Sequence, residues 1–258
     1  MRTCQILTAL LALLACLSTT ARADPSIRLR ATFTPEHLGR AATVDLDIKV
    51  VAPGALPPPL AEVSLRYPAG LGVALSGVGI DTCPAQTLES SAGPKACPAD
   101  SLMGTGNALT ALQVGPQILH EKTTVTVVRA PERNGHLAMF FYAAGDDPVI
   151  ARTLFIGELL PAHRPFGGRI RITIPPITAL PGQYIGIQRL HLVLAPPWFT
   201  YYERIRGKTI AYHPKGIPLP TSCPHGGFPF SATAVFLNGL EAKTGTRVPC
   251  PMGAGRRE

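Results

Sequence analysis

The chain has 258 residues, 46% of them hydrophobic and only 16% charged, with 27 Pro, 25 Gly and a formal net charge of +8. The apolar share is enough for a packed core and excludes disorder as the main state; the absence of a Gly-x-y period excludes collagen, and a proline at about every tenth position excludes a long-helix protein. A globular, turn-rich and all-β chain remains.

In chain order, the first feature is Arg2, followed by an uncharged apolar run from Ile6 to Leu17 and then by Ala21-Arg22-Ala23. A basic start, a short apolar region and a small-x-small site predict a secretory signal peptide over residues 1–23, cleaved after Ala23. The run is too short for a spanning helix, which needs about 20 apolar residues. Leu13-Leu14-Ala15-Cys16 also looks like a lipobox, so a lipoprotein tethered through Cys16 is the alternative to simple secretion. No later stretch reads as transmembrane; the charge-free segment Ile172 to Gln188 is broken by Pro175, Pro176 and Pro181. Without residues 1–23 the chain keeps 235 residues, expected to form one domain over 24–250 with a flexible basic tail at 251–258. Arg2 and Arg22 leave with the leader, so 22 basic side chains face 16 acidic ones. That balance favours anionic neighbours such as cell-envelope polymers.

Strand-period runs follow at 26–33, 43–50, 61–67, 118–130, 136–144, 149–157, 168–174, 184–194, 199–205, 208–213, 229–237 and 240–248. Thr43–Val50 alternates polar and apolar without a slip, and Gly168–Ile174 does the same until Pro175-Pro176 stops it. Asn134-Gly135 and Asn238-Gly239 each sit between two such runs and predict two-residue hairpins. Pro53 to Pro59 reads as a stiff connector. No dozen-residue segment beyond the leader has helical apolar spacing. The expected fold is an antiparallel β-sandwich stapled by disulfides, as one domain or as two packed β subdomains.

Four cysteines remain after the leader: Cys83, Cys97, Cys223 and Cys250, each followed directly by proline. An even count in an exported chain reads as two disulfides, and gaps of 14 and 27 residues lack the close Cys-x2-Cys pairs of a zinc site. Cys83-Pro84-Ala85 recurs as Cys97-Pro98-Ala99, matching turns that bracket one polar loop, so Cys83 is expected to pair with Cys97. A two-residue turn at Asn238-Gly239 would place Cys250 opposite position 227, four residues from Cys223, with Gly226-Gly227 free to fold and close the gap. This pairs Cys223 with Cys250.

Leu56-Pro57-Pro58-Pro59, then Tyr67-Pro68-Ala69-Gly70-Leu71, then Cys97-Pro98-Ala99-Asp100-Ser101-Leu102-Met103-Gly104-Thr105-Gly106, and finally Ser222-Cys223-Pro224 before Gly226-Gly227-Phe228-Pro229-Phe230, stand in an order that resembles uncharacterised secreted actinobacterial β-proteins with Cys-Pro turns. The resemblance covers residues 60–250 in outline. It implies export and disulfides, and no assigned activity.

Motifs of enzymes are missing. Ser76 lacks the glycines of a nucleophile elbow, His120-Glu121 has Thr124 where a zinc protease needs a second histidine, and Gly104-Thr105-Gly106 lacks the third glycine of a dinucleotide loop. Neither cofactor nor metal is expected. Asp45/Asp47 and Asp146/Asp147 read as a solvated strand face and a turn. Two surface features stand out. Arg28/Arg30, Arg169/Arg171 and Arg204/Arg206/Lys208 alternate with apolar residues and form a candidate anionic-ligand surface if their strands are neighbours. Trp198, Tyr201 and Tyr202 form a candidate aromatic contact. The expected function is an exported non-enzymatic β-protein of the cell envelope or extracellular space, a binding or structural module whose partner is an anionic envelope polymer or another envelope protein. The alternative is a secreted hydrolase with a dispersed His/Asp/Glu site.

Overall fold

Alternation of apolar and polar side chains carries over directly into strands: Ile27, Leu29, Ala31 and Phe33 of the first, and Ala42, Val44, Leu46, Ile48 and Val50 of the second, all point inward, with the residues between them outward. The computed structural model describes residues 24–251 apart from 53, 55, 73–78, 147–149 and 181. Residues 1–23, expected to form a leader and including Cys16, lie outside the described residues, as do Ser76, Asp147 and residues 252–258.

Sixteen strands are present in that range: β1 (Ser26–Thr34), β2 (Ala41–Val51), β3 (Leu60–Pro68), β4 (Leu102–Val114), β5 (Gln117–Arg133), β6 (His136–Gly145), β7 (Ala151–Leu160), β8 (Phe166–Thr173), β9 (Thr178–Leu180), β10 (Gln183–Tyr184), β11 (Gly186–Leu194), β12 (Tyr201–Ile205), β13 (Lys208–Tyr212), β14 (Ile217–Pro218), β15 (Phe228–Phe236) and β16 (Glu241–Val248). The described helices are single turns, at Ala85–Leu88, Gly93–Ala96 and Ala99–Ser101. One antiparallel sheet runs in the order β1-β2-β11-β4-β5-β6-β7-β8-β3-β15-β16, with β14 attached to β2. Its two end strands, β1 and β16, pack together, so the sheet is nearly closed into a barrel. The layers expected from the sequence are thus opposing walls of a single coiled sheet. β9–β10 and β12–β13 are separate two-stranded hairpins.

One core collects side chains from Ile27 to Val248. At one end of the barrel Phe33 packs edge-on against Phe228 at 5.6 Å and also meets Phe230. At the other end small residues, Ala108, Thr110, Thr123, Ala143 and Thr153, leave a cavity of about 60 Å³. Glu121 lies in that wall, where its carboxylate fills the space a side chain at Gly145 would need.

β4 has no strand counterpart in the local sequence pattern. Its Leu-Met-Gly-Thr-Gly start carries little β propensity, and its neighbours β11 and β5 impose the extended state. Gly104 and Gly106 are required there: a side chain at Gly106 would run into the carbonyl of His191 on β11.

Both disulfides form with the expected pairing, Cys83–Cys97 with Cα atoms 5.4 Å apart and Cys223–Cys250 at 5.8 Å. The register behind the second differs by one residue. β15 and β16 pair Val235 with Glu241, and the Phe236 carbonyl accepts from the Gly239 amide, so Leu237-Asn238-Gly239 is a three-residue turn with Gly239 at φ 82°. The two-residue geometry is seen instead at Asn134-Gly135, where both residues have positive φ and Arg133 faces His136.

Candidate functional site

One of the three cation sets expected from the sequence, Arg204, Arg206 and Lys208, shares a chain segment with the exposed aromatics Trp198 and Tyr202. β12 and β13 pair from Tyr201↔Tyr212 to Ile205↔Lys208 around Arg206-Gly207, a two-residue turn with both φ positive. Arg204, Arg206 and Lys208 therefore surround the tip of the hairpin; Tyr202 is exposed on its first strand, and Trp198, three residues before Tyr201, is exposed where the chain enters it. Tyr201 does not share that surface: it is fully buried. Its hydroxyl accepts from the Gly79 amide at 2.9 Å and donates to the Leu102 carbonyl, and its ring meets Tyr212 edge-on. Burial pushes the Tyr201 phenol above its ordinary pKa. Tyr201 is the root of the hairpin, and Asp100, accepting from the Tyr202 amide at 2.7 Å, adds a second tie.

Arg169 and Arg171 lie elsewhere, on β8 between β7 and β3. Arg171 donates to Glu158 at 2.6 Å, and this bond holds the Glu158 carboxyl below the usual carboxylate range despite its desolvation. Arg169 faces Arg66 on β3. β1, β8 and the hairpin are not neighbours in the sheet order, so the three alternating cation sets form no common face.

A different cationic row comes from residues that are far apart in sequence. Arg28 on β1 faces Lys49 on β2, and Lys49 faces Arg189 on β11, all on the outer surface. With Arg30 they line a trench of about 880 Å³, one wall of which is the segment carrying Ala52, Gly54 and Pro57. Four cations there meet one carboxylate, Asp47, which Arg189 holds through its Nε at 2.9 Å. His120 at the trench edge is bonded to Gln188 at 3.1 Å. Only the Arg28/Arg30 alternation signals this site in the sequence, because the row depends on which strands become neighbours.

His191 and Asp45 also meet, at 2.9 Å, on the outer face of β11 and β2. The residues opposite His191 are Asp47 and Asn107, so neither cross-strand neighbour is a hydroxyl or thiol nucleophile. Among the described residues no group of three His, Cys, Asp or Glu side chains is placed to hold a metal ion. No described helix is long and apolar enough to cross a membrane. Comparison with protein-family models, with curated proteins and with solved structures finds no match.

Proposed function

We propose that this chain is an exported, non-enzymatic binding module of the cell envelope or extracellular space, and that it holds an anionic polymer in the trench between β1, β2 and β11. The observation that carries this reading is the Arg28–Lys49–Arg189 row. Like charges directly opposite one another in a sheet repel and destabilise it. A bound polyanion would turn that repulsion into attraction, and cations contributed by three adjacent strands suit an extended chain rather than a compact solute. Two disulfides agree with an oxidising compartment, and the basic leader with its apolar run supports export.

The test is retention on long-chain polyphosphate, followed as salt rises from about 50 to about 500 mM, where screening shortens from over 10 Å to a few ångströms. Binding should fall steeply with salt and should drop in a variant carrying Arg28→Thr and Lys49→Thr. Retention that ignores both salt and these substitutions would refute the reading. N-terminal sequencing of the exported protein should begin at Asp24, and a lipid-modified Cys16 would replace simple secretion by the tethered alternative.

A further inference from the structure

We propose that the β12–β13 hairpin is a docking element for an anionic lipid surface. Of the ten large apolar side chains exposed among the described residues, four lie between Trp198 and Ile210: Trp198, Tyr202, Ile205 and Ile210. Every residue from Tyr202 to Ala211 is exposed, so the hairpin stands clear of the barrel wall. Strand alternation puts Ile205 and Ile210 on one of its faces and Tyr202 on the other. A flat protein partner could cover one face only, whereas entry into a fluid interface covers both.

Charge selects the kind of lipid. Arg204, Arg206 and Lys208 surround the turn and Glu203 is the only acid in the hairpin. Apolar and aromatic side chains interleaved with cations suit the boundary between acyl chains and anionic head groups: rings settle at the interface and cations reach the phosphates. An exposed hairpin kept only for solubility would carry charge without two isoleucines at its end. The buried Tyr201 and its bonds to Gly79 and Leu102 hold the element against the barrel, so insertion would seat the whole molecule. This inference is independent of the trench, which lies on other strands.

The chain has a single tryptophan, Trp198, exposed three residues before the hairpin, and its fluorescence reports on the approach of this end of the molecule to a membrane. Mixed with vesicles of phosphatidylglycerol and phosphatidylcholine, the protein should sediment with them and its emission should move to shorter wavelength; pure phosphatidylcholine vesicles should do neither. At about 1 kcal/mol per surface cation, the triple variant Arg204→Gln, Arg206→Asn, Lys208→Gln should bind on the order of 100-fold more weakly. Ile205→Ser with Ile210→Ser should lose the Trp198 shift, with circular dichroism and intact disulfides showing that the fold is kept. Lys49→Thr in the trench should leave vesicle binding unchanged. Sedimentation without a Trp198 shift, or binding lost in the Lys49 variant but kept in the hairpin variants, overturns the proposal. So does lipid-free self-association that disappears with the isoleucines, which would make a second copy the occupant.

Discussion

Lys49 stands directly opposite Arg189 on one side and Arg28 on the other, so three strands contribute three like charges to a single row. Lys49→Thr removes the middle charge and keeps a good strand residue. The unliganded protein should therefore gain about 0.2–1 kcal/mol, while its hold on polyphosphate weakens. For a chain of this size that gain is roughly 0.4–4 °C in thermal midpoint. A midpoint that stays put or falls would mean that Asp47 already neutralises the row.

The two disulfides should differ in their response to reductant. Cys83 is fully buried with Leu88 and Val128 in a small core on the outside of the barrel, whereas Cys250 is exposed and Cys223 half-buried. Graded reduction followed by thiol labelling and peptide mapping should open Cys223–Cys250 first. Replacing both members of either pair by serine should cost about 3 kcal/mol through the freed unfolded chain, and more at Cys83, where packing is lost as well. Labelling of Cys83 before Cys250 would contradict the burial argument.

Tyr201→Phe keeps the ring and deletes two hydrogen bonds, leaving the Gly79 amide without its acceptor. A destabilisation of about 1–3 kcal/mol is expected in urea. The raised phenol pKa also sets a direction with pH. In the unfolded chain the phenol ionises near pH 10, in the folded one later, so its contribution is full below about pH 10 and is lost as pH rises towards the folded value. Tyr201→Phe should flatten that alkaline decline. An alkaline limb identical in both proteins would place the loss elsewhere.

Glu158 gives the opposite sign. Its carboxyl titrates lower when folded because Arg171 donates to it, so its contribution is complete above the ordinary carboxylate range and disappears as pH falls through the lowered folded value. Glu158→Gln should reduce the difference between urea midpoints measured near neutrality and in acid. Arg171 is partly exposed, so the effect is one of direction more than size. An unchanged acid dependence would count against the ion pair.

Strand periods and the Cys-Pro turns are legible in the sequence because they are local: Thr43–Val50 alternates by itself, and Cys83 and Cys97 bracket their own loop. β4 is not legible, since Gly104 and Gly106 are explained only by how closely β11 approaches. The Asn238-Gly239 turn misleads by one residue because the same dipeptide serves two-residue and three-residue turns, yet Gly226 and Gly227 absorb the difference and the disulfide still closes. Arg204, Arg206 and Lys208 group with Tyr202 in the sequence itself, as neighbours along one hairpin, with Trp198 three residues before it. The trench does not, because Arg28, Lys49 and Arg189 become neighbours only through the strand order.

Eleven strands alternate in direction along the sheet, and eleven is odd, so β1 and β16 run the same way where they meet. An antiparallel ladder cannot continue across that junction. The barrel therefore has a seam, with an edge strand on each side whose outward-directed amides have no ladder partner in the described pairing. Amide hydrogen exchange should be fastest there and slowest around β5 and β6, on the far side of the wall. Because the trench begins on β1, a polyanion bridging β1, β2 and β11 would brace one lip of the seam, and slower exchange in β1 would report its arrival.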